Sequence, residues 1–139
     1  MFQQFHLVPH LTALGNVETA LLYRGLSPKE RRRRAMEALE QVGLGDRHDH
    51  RPVQMSGGEQ QRVAIARAIT TEPGVVLADE PTGDLDRASA DSVMALLARL
   101  NEELGKTVVI VTHDPLAAAS AQRSVHLDKG RWQSDGEGA

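Results

Sequence analysis

From Thr12 to Gly43 the apolar residues recur at helical spacing. Within this stretch Ser27-Pro28-Lys29-Glu30 reads as a capping box with proline at the first helical position. Ala35, Met36, Leu39 and Val42 continue as one apolar stripe, and Gly43 can close the helix in a left-handed conformation. A further helix is predicted from Ser56 to about Ile69. After Pro73 the pattern changes. Gly74 to Ala78 is a short, unbroken apolar run that stops at Asp79, and Thr107 to Thr112 is another that stops at His113. Neither alternates polar with apolar, so both are expected as strands buried on two faces, as in a parallel sheet. Between them Val93, Leu96, Leu97, Leu100 and Leu104 mark a helix ended by Gly105. Strand, helix, strand at this spacing predicts a βαβ unit. Ser124 to Leu127, then Asp128-Lys129-Gly130, then Arg131-Trp132 predicts a small hairpin, and the polar, glycine-rich tail from Gln133 is expected to fray. The fold class is therefore α/β, a helical part followed by a parallel-sheet part.

At 139 residues the chain has one domain's worth of length, and its apolar and charged fractions are those of an ordinary globular protein. A net charge of -3 gives no basic bias toward nucleic acid. With no cysteine, disulfides, thiolate catalysis and zinc-thiolate sites are excluded. No apolar run approaches the roughly 20 residues of a membrane helix, and the N-terminus has no basic region of a signal peptide. A role at a membrane would require docking on another protein that crosses it. Arg31 to Arg34 occupy the first turns of their helix and point around it, which reads first as a solvated surface and second as a contact for a partner or acidic headgroups.

Candidate chemistry enters by position. Ligands of open parallel sheets bind beyond the carboxyl ends of the strands, where Asp79, Glu80 and His113 fall. Asp79 could hold magnesium, since hard cations want carboxylate oxygen, and Glu80 could orient and deprotonate a water. An Asp-Glu pair at a strand end is also an ordinary turn or helix cap. Ser56-Gly57-Gly58-Glu59 likewise supports two readings. It is a capping box, yet two glycines in a first turn cost roughly 1 kcal/mol each relative to alanine. Glycine permits close approach to the backbone, and a helix N-terminus with bare amides suits phosphate.

Taken together, these segments are identified as those of an ATP-binding-cassette (ABC) ATPase. Met55-Ser56-Gly57-Gly58-Glu59-Gln60-Gln61-Arg62 resembles the family's signature motif, and Val75 to Glu80 its Walker B strand. Pro81-Thr82-Gly83-Asp84-Leu85-Asp86 resembles the D-loop, Val109 to Asp114 the switch-histidine strand, and Met1-Phe2-Gln3 the start of the Q-loop. The resemblance implies a P-loop NTPase fold, with the Q-loop and helical subdomain over about residues 1–60. Walker B, D-loop and switch histidine then occupy about 61–132, and a tail 133–139. It implies ATP and magnesium as cofactors. Gln3 would sense metal and γ-phosphate, Ser56, Gly57, Gly58 and Glu59 would meet the nucleotide of an opposing subunit, and Asp79 would assist magnesium. Glu80 would be the general base, Asp86 would cross the dimer interface, and His113 would contact the γ-phosphate. The partners implied are a second ATPase subunit in a head-to-tail dimer and transmembrane permease subunits. The site of action implied is the inner face of the cell membrane, on its cytoplasmic side.

The opening Phe2 to Leu7 and the run Ala78 to Asp86 look most like the lipoprotein-release and macrolide-export subgroup. A cell-division ATPase of the same family, and a non-catalytic module that lends its signature loop to another subunit, are the alternatives. Two departures stand out. Glu59 occupies a position where the family usually has glutamine, which is tolerable if its carboxylate folds back onto the cap. No G-x-x-x-x-G-K-[ST] phosphate-binding loop occurs, nor the aromatic adenine platform that precedes it. The expectation is that Met1 stands at an internal valine position, through a misassigned start or a shortened gene. On that expectation the isolated chain, with open strand edges, folds poorly or binds ATP very weakly.

Overall fold

The Thr12 hydroxyl accepts the Gly15 N–H and opens the first helix, α1, Ala13–Glu18. In the computed structural model, which describes residues 6–133, α1 runs into a 3₁₀ turn over Thr19–Leu21. Its first amides are also met from outside: Ala13 N–H donates to the His50 carbonyl and Leu14 N–H to that of His48. Asn16, fully buried, accepts the Val8 N–H at 2.7 Å and donates to the carbonyls of Val8, Leu11 and Thr12. It thereby binds the segment entering α1 to the helix itself. Removing that amide would leave buried backbone groups unpaired, at about 1–3 kcal/mol.

The second helix, α2, spans Pro28–Gln41 with proline in its first turn. Only half of the expected capping box forms. Ser27 Oγ accepts the Glu30 N–H, but the Glu30 carboxylate is drawn off by Arg33 and Arg34. Gly43 closes the helix at φ +74, with Gly43 N–H on the Glu40 carbonyl and Leu44 N–H on that of Leu39. This is a Schellman motif, and its apolar pair, Leu39 and Leu44, is buried. The arginine run is a helix surface: Arg33 pairs with Glu30 and Glu37, Arg34 with Glu30 and Glu72, and Arg31 donates to the Leu26 carbonyl.

Helix α3, Gly57–Ile69, lies where the sequence places it, and buries Val63, Ile65, Ala66 and Ile69. Then come β1, Val75–Asp79; α4, Arg87–Glu102; and β2, Thr107–Val111. The strands pair in parallel, from Val75 opposite Thr107 to Asp79 opposite Val111. Helix α4 buries Val93, Leu96, Leu97 and Leu100, whereas Leu104 lies past the helix end and is exposed. A short α5, Pro115–Ala119, follows, and then the hairpin of β3, His126–Asp128, and β4, Arg131–Gln133. Its turn residues Lys129 and Gly130 have φ of +46 and +78, as a type I′ turn requires. Gln133 thus belongs to a strand and not to the tail; residues 134–139 lie outside the described residues.

One core joins the parts: Leu14, Val17, Leu39 and Leu44 continue through Val63 and Ile69 to Val76, Val93, Leu97 and Leu100. Each large aliphatic side chain so buried stabilises by roughly 1.5–3 kcal/mol. The parallel strands, however, are not covered on both sides as expected. Val76, Ala78, Val108 and Ile110 face the core, while Leu77 is 77% exposed and Val111 60%. The helices pack on one face of the two-stranded sheet, and the other face, with Val75, Leu77, Val109 and Val111, is largely exposed.

Candidate functional site

The carboxyl ends of β1 and β2 bring two predicted residues together. Glu80 follows β1 with φ +46, a left-handed conformation that costs a non-glycine residue roughly 1–2 kcal/mol. Its N–H donates to the Val111 carbonyl at 2.8 Å, which continues the strand pairing one residue further and delivers the side chain to the end of β2. There Glu80 Oε1 accepts the His113 backbone N–H at 2.9 Å and meets His113 Nδ1 at 2.7 Å. Glu80 Oε2 accepts the Thr112 hydroxyl at 3.2 Å. With the proton on Nδ1, the ring donates to the carboxylate, and its Nε2 has no hydrogen-bond partner among the described residues.

The electrostatics follow from that contact. The His113 ring, then its backbone N–H and the Thr112 hydroxyl, hold Glu80 below the ordinary carboxylate range. The Glu80 carboxylate in turn raises the His113 imidazole above its ordinary value. A carboxylate offers about four acceptor positions, and three are used here; the one remaining is on Oε2. Asp79, one residue earlier, is exposed at the end of β1 and forms no hydrogen bond or ion pair among the described residues. No cluster of three metal-ligating side chains occurs among the described residues. A single free carboxylate still fits magnesium, which keeps several waters and takes one or two protein carboxylates beside substrate phosphates.

The second cluster is built on the N-terminus of α3. Ser56 Oγ accepts the Glu59 N–H at 3.2 Å, and Glu59 Oε2 accepts the Ser56 N–H at 2.8 Å, so the capping box is complete. Glu59 does fold back, and its other oxygen meets Arg47 Nε at 3.3 Å. Its carboxyl sits below the ordinary range because of the Ser56 N–H first, with Arg47 and Arg62 adding to it. Helix geometry leaves the N–H groups of Gly57 and Gly58 without intrahelical acceptors. The exposed Ser56 hydroxyl beside them can donate as well, so the donor set fits a phosphate.

Asp86 stands at the start of α4, where its two oxygens accept the Ser89 N–H at 3.0 Å and the Ser89 hydroxyl at 2.7 Å. Ser89 also explains one glycine. A Cβ on Gly58 would lie 2.9 Å from Ser89 Oγ and 3.0 Å from Ser89 Cβ. Arg62, one turn on, donates to the Ser92 hydroxyl at 3.2 Å. The N-terminal turns of α3 and α4 are thus interlocked, with Gly58 and Asp86 joined through Ser89. Among the described residues no hydrogen bond or ion pair directly links this cluster to the Glu80–His113 pair. Gln3 lies outside the described residues.

Sequence reasoning missed Ser89, Arg47 and Thr112 as partners of the site. Ser89 had a local signal, since a serine three residues after an aspartate cap can bond back to it. Arg47 had none, because its partner lies across a loop.

A profile of the ABC transporter family matches residues 1–83. The chain is 57% identical over 135 residues to "Macrolide export ATP-binding/permease protein MacB 1/2" of Paracoccus denitrificans (strain Pd 1222), covering 97% of the chain and 20% of that protein. It is 51% identical over 138 residues to the "Uncharacterized ABC transporter ATP-binding protein YvrO" of Bacillus subtilis (strain 168), covering 99% of the chain and 60% of that protein. Among solved structures it is similar to a dimeric post-hydrolysis state of the ATP-binding cassette MJ0796 bound to ADP and Pi. That similarity has a TM-score of 0.78 at 50% identity and covers 96% of the chain and 60% of the cassette. The chain therefore spans less than two thirds of the length of these relatives.

Proposed function

The chain belongs to the ABC transporter family, and from that premise we propose that it is part of an ATP-hydrolysing subunit that drives export or lipoprotein release through a permease. The observation that carries this reading is the meeting of Glu80 and His113 at the ends of the parallel strands. Glu80 Oε2 keeps one acceptor position, enough to orient a water and take its proton, while Oε1 is held by His113. His113, with its ring protonated as the Glu80 carboxylate favours, can donate its Nε2–H to a γ-phosphate oxygen. Asp79 offers a carboxylate to magnesium, directly or through water, and Gln3 would join it. The metal, when bound, supplies charge stabilisation at the phosphates.

Ser56, Gly57 and Gly58, with Glu59 folded back beside them, would grip a nucleotide held by a second subunit, and Asp86 would face the same interface. The 139 residues contain no G-x-x-x-x-G-K-[ST], so the cradle for that nucleotide is to be supplied by residues other than these. No helix among the described residues is long and apolar enough to cross a membrane. On this reading the subunit sits at the inner face of the membrane, against permease subunits.

The test is Glu80→Gln in the protein as its host makes it. The variant binds ATP with magnesium, turns over about 10²- to 10⁴-fold more slowly, and sediments as a dimer in ATP. Unchanged turnover removes Glu80 as the base. A wild-type protein that neither binds nor hydrolyses ATP removes the motor reading altogether.

A further inference from the structure

Glu59 brings a negative charge into the first turn of α3, one residue from the amides that would meet a phosphate. Its carboxylate is nevertheless largely covered, with the side chain 16% exposed, and both of its oxygens are engaged. One partner, the Ser56 N–H, belongs to the cap itself. The other, Arg47, comes from the turn over Gly45–Arg47 that follows α2.

Arg47 is delivered to that place by structure on both sides. Before it, Leu44 is buried in the Schellman closure of α2, and the Arg47 N–H donates to the Leu44 carbonyl at 3.0 Å. After it, the carbonyls of His48 and His50 receive the first two amides of α1, at 2.9 and 2.8 Å. The guanidinium is steadied by His50, with Arg47 Nη1 3.0 Å from His50 Nε2. A cation held this way limits the directions in which the Glu59 carboxylate can swing. The cap alone does not need it, since glutamine completes a capping box as well as glutamate. What glutamate adds is a charge, and Arg47 is the side chain of this segment that pairs with it.

We propose that Arg47 is a positioning residue, which holds the Glu59 carboxylate folded back on the Ser56 N–H so that its charge stays off the donor face made by the Ser56 hydroxyl and the amides of Gly57 and Gly58. The proposal rests on the nucleotide-gripping role given to that loop. Without Arg47 the carboxylate keeps the Ser56 N–H as its direct partner and Arg62 as a more distant charge, and it can turn outward, where it would repel a polyanion at a few ångströms. The defect is then one of charge and not of folding, and neutralising Glu59 must abolish it.

The experiment uses four proteins made in the host's own full-length form: the parent, Arg47→Ala, Glu59→Gln, and the double variant. All carry Glu80→Gln to prevent turnover. Carbon-13 NMR follows the titration of the Glu59 carboxyl, and sedimentation measures ATP-driven dimerisation. Arg47→Ala is expected to move the Glu59 titration upward and to weaken dimerisation on the order of tenfold. In the Glu59→Gln background, adding Arg47→Ala should change dimerisation little. An unmoved Glu59 titration overturns the proposal, and so does an equal loss of dimerisation with or without the Glu59 charge, the mark of a merely structural arginine. If no variant dimerises in ATP, the motor reading fails, and the Glu59 titration by itself decides whether Arg47 holds the carboxylate.

Discussion

Leu39 and Leu77 each sit in the middle of an apolar segment, yet Leu39 is fully buried and Leu77 is 77% exposed. The contrast extends to their surroundings. The helical part, residues 6–69, buries most of its own apolar surface: its apolar stripes face one another, and Thr12, Ser27, Ser56 and Gly43 supply its helix ends. The sheet part covers one of its two faces. A helical stripe reports what the helix buries within the same chain, because the stripe exists only in relation to a neighbour. An unbroken run of valine, leucine and isoleucine reports what a strand is built to bury, whether or not the partner is at hand. Function follows the same division, since the well-packed part carries the loop that would meet a neighbour's nucleotide. The half-covered part carries the Glu80–His113 pair.

The largest effect that tests this contrast is truncation of the two leucines. Leu39→Ala is expected to cost about 2–5 kcal/mol, the range for emptying a packed site. Leu77→Ala is expected to stay within about 0.5 kcal/mol. Urea denaturation of both variants measures the difference. A cost at Leu77 equal to that at Leu39 would break the comparison, and would mean that the open face of the sheet is covered in solution.

A smaller effect separates two glycines. At Gly58 an added Cβ meets Ser89 at 2.9 and 3.0 Å, whereas at Gly74, before β1, nothing lies within 4 Å. Gly58→Ala should lose about 1–3 kcal/mol through overpacking, after any gain in helix propensity. Gly74→Ala should be neutral or gain about 0.4–1 kcal/mol by narrowing the unfolded ensemble. Thermal unfolding of the pair distinguishes them, and a stabilised Gly58→Ala would show that Ser89 yields without cost.

Much of this was legible in the sequence because it is local. The bounds of α3, the left-handed closure at Gly43, the two parallel strands and the existence of the hairpin all follow from neighbouring residues. So do the order of motifs and the placing of Glu80 and His113 at strand ends. What was not legible depends on distant partners. Glu30 had a local role open to it as a cap and was taken by arginines three and four residues on, which lie beside it on the same helix face. Leu104 fits the stripe of α4 by spacing but falls beyond the helix end, where the chain turns at Gly105 with φ +61. Arg47 reaches Glu59 only because α1 fixes the intervening loop.

The smallest effect concerns pH and sharpens the account of the strand ends. His113 is raised by Glu80, and Glu80 is lowered by His113, so each stabilises the other's charged form. For a lowered carboxyl, the contribution is present above its unfolded value, near 4, and is lost as pH falls through the still lower folded value. For a raised imidazole, it is complete below the unfolded value, near 6.5, and is lost as pH rises through the higher folded value. The two together place the pair's full contribution at mildly acid pH and predict its loss on the alkaline side first. The His113 ring is exposed and the Glu80 side chain is 34% exposed, so solvent screens the pair, stability should change little, and the titration itself is the better reporter. Proton NMR of the His113 ring should show a value above that of an ordinary histidine, and Glu80→Gln should bring it down. A ring whose titration ignores Glu80→Gln would mean that the 2.7 Å contact does not persist in solution. The carboxylate would then be free of the histidine, and Oε1 as well as Oε2 could receive a water's proton.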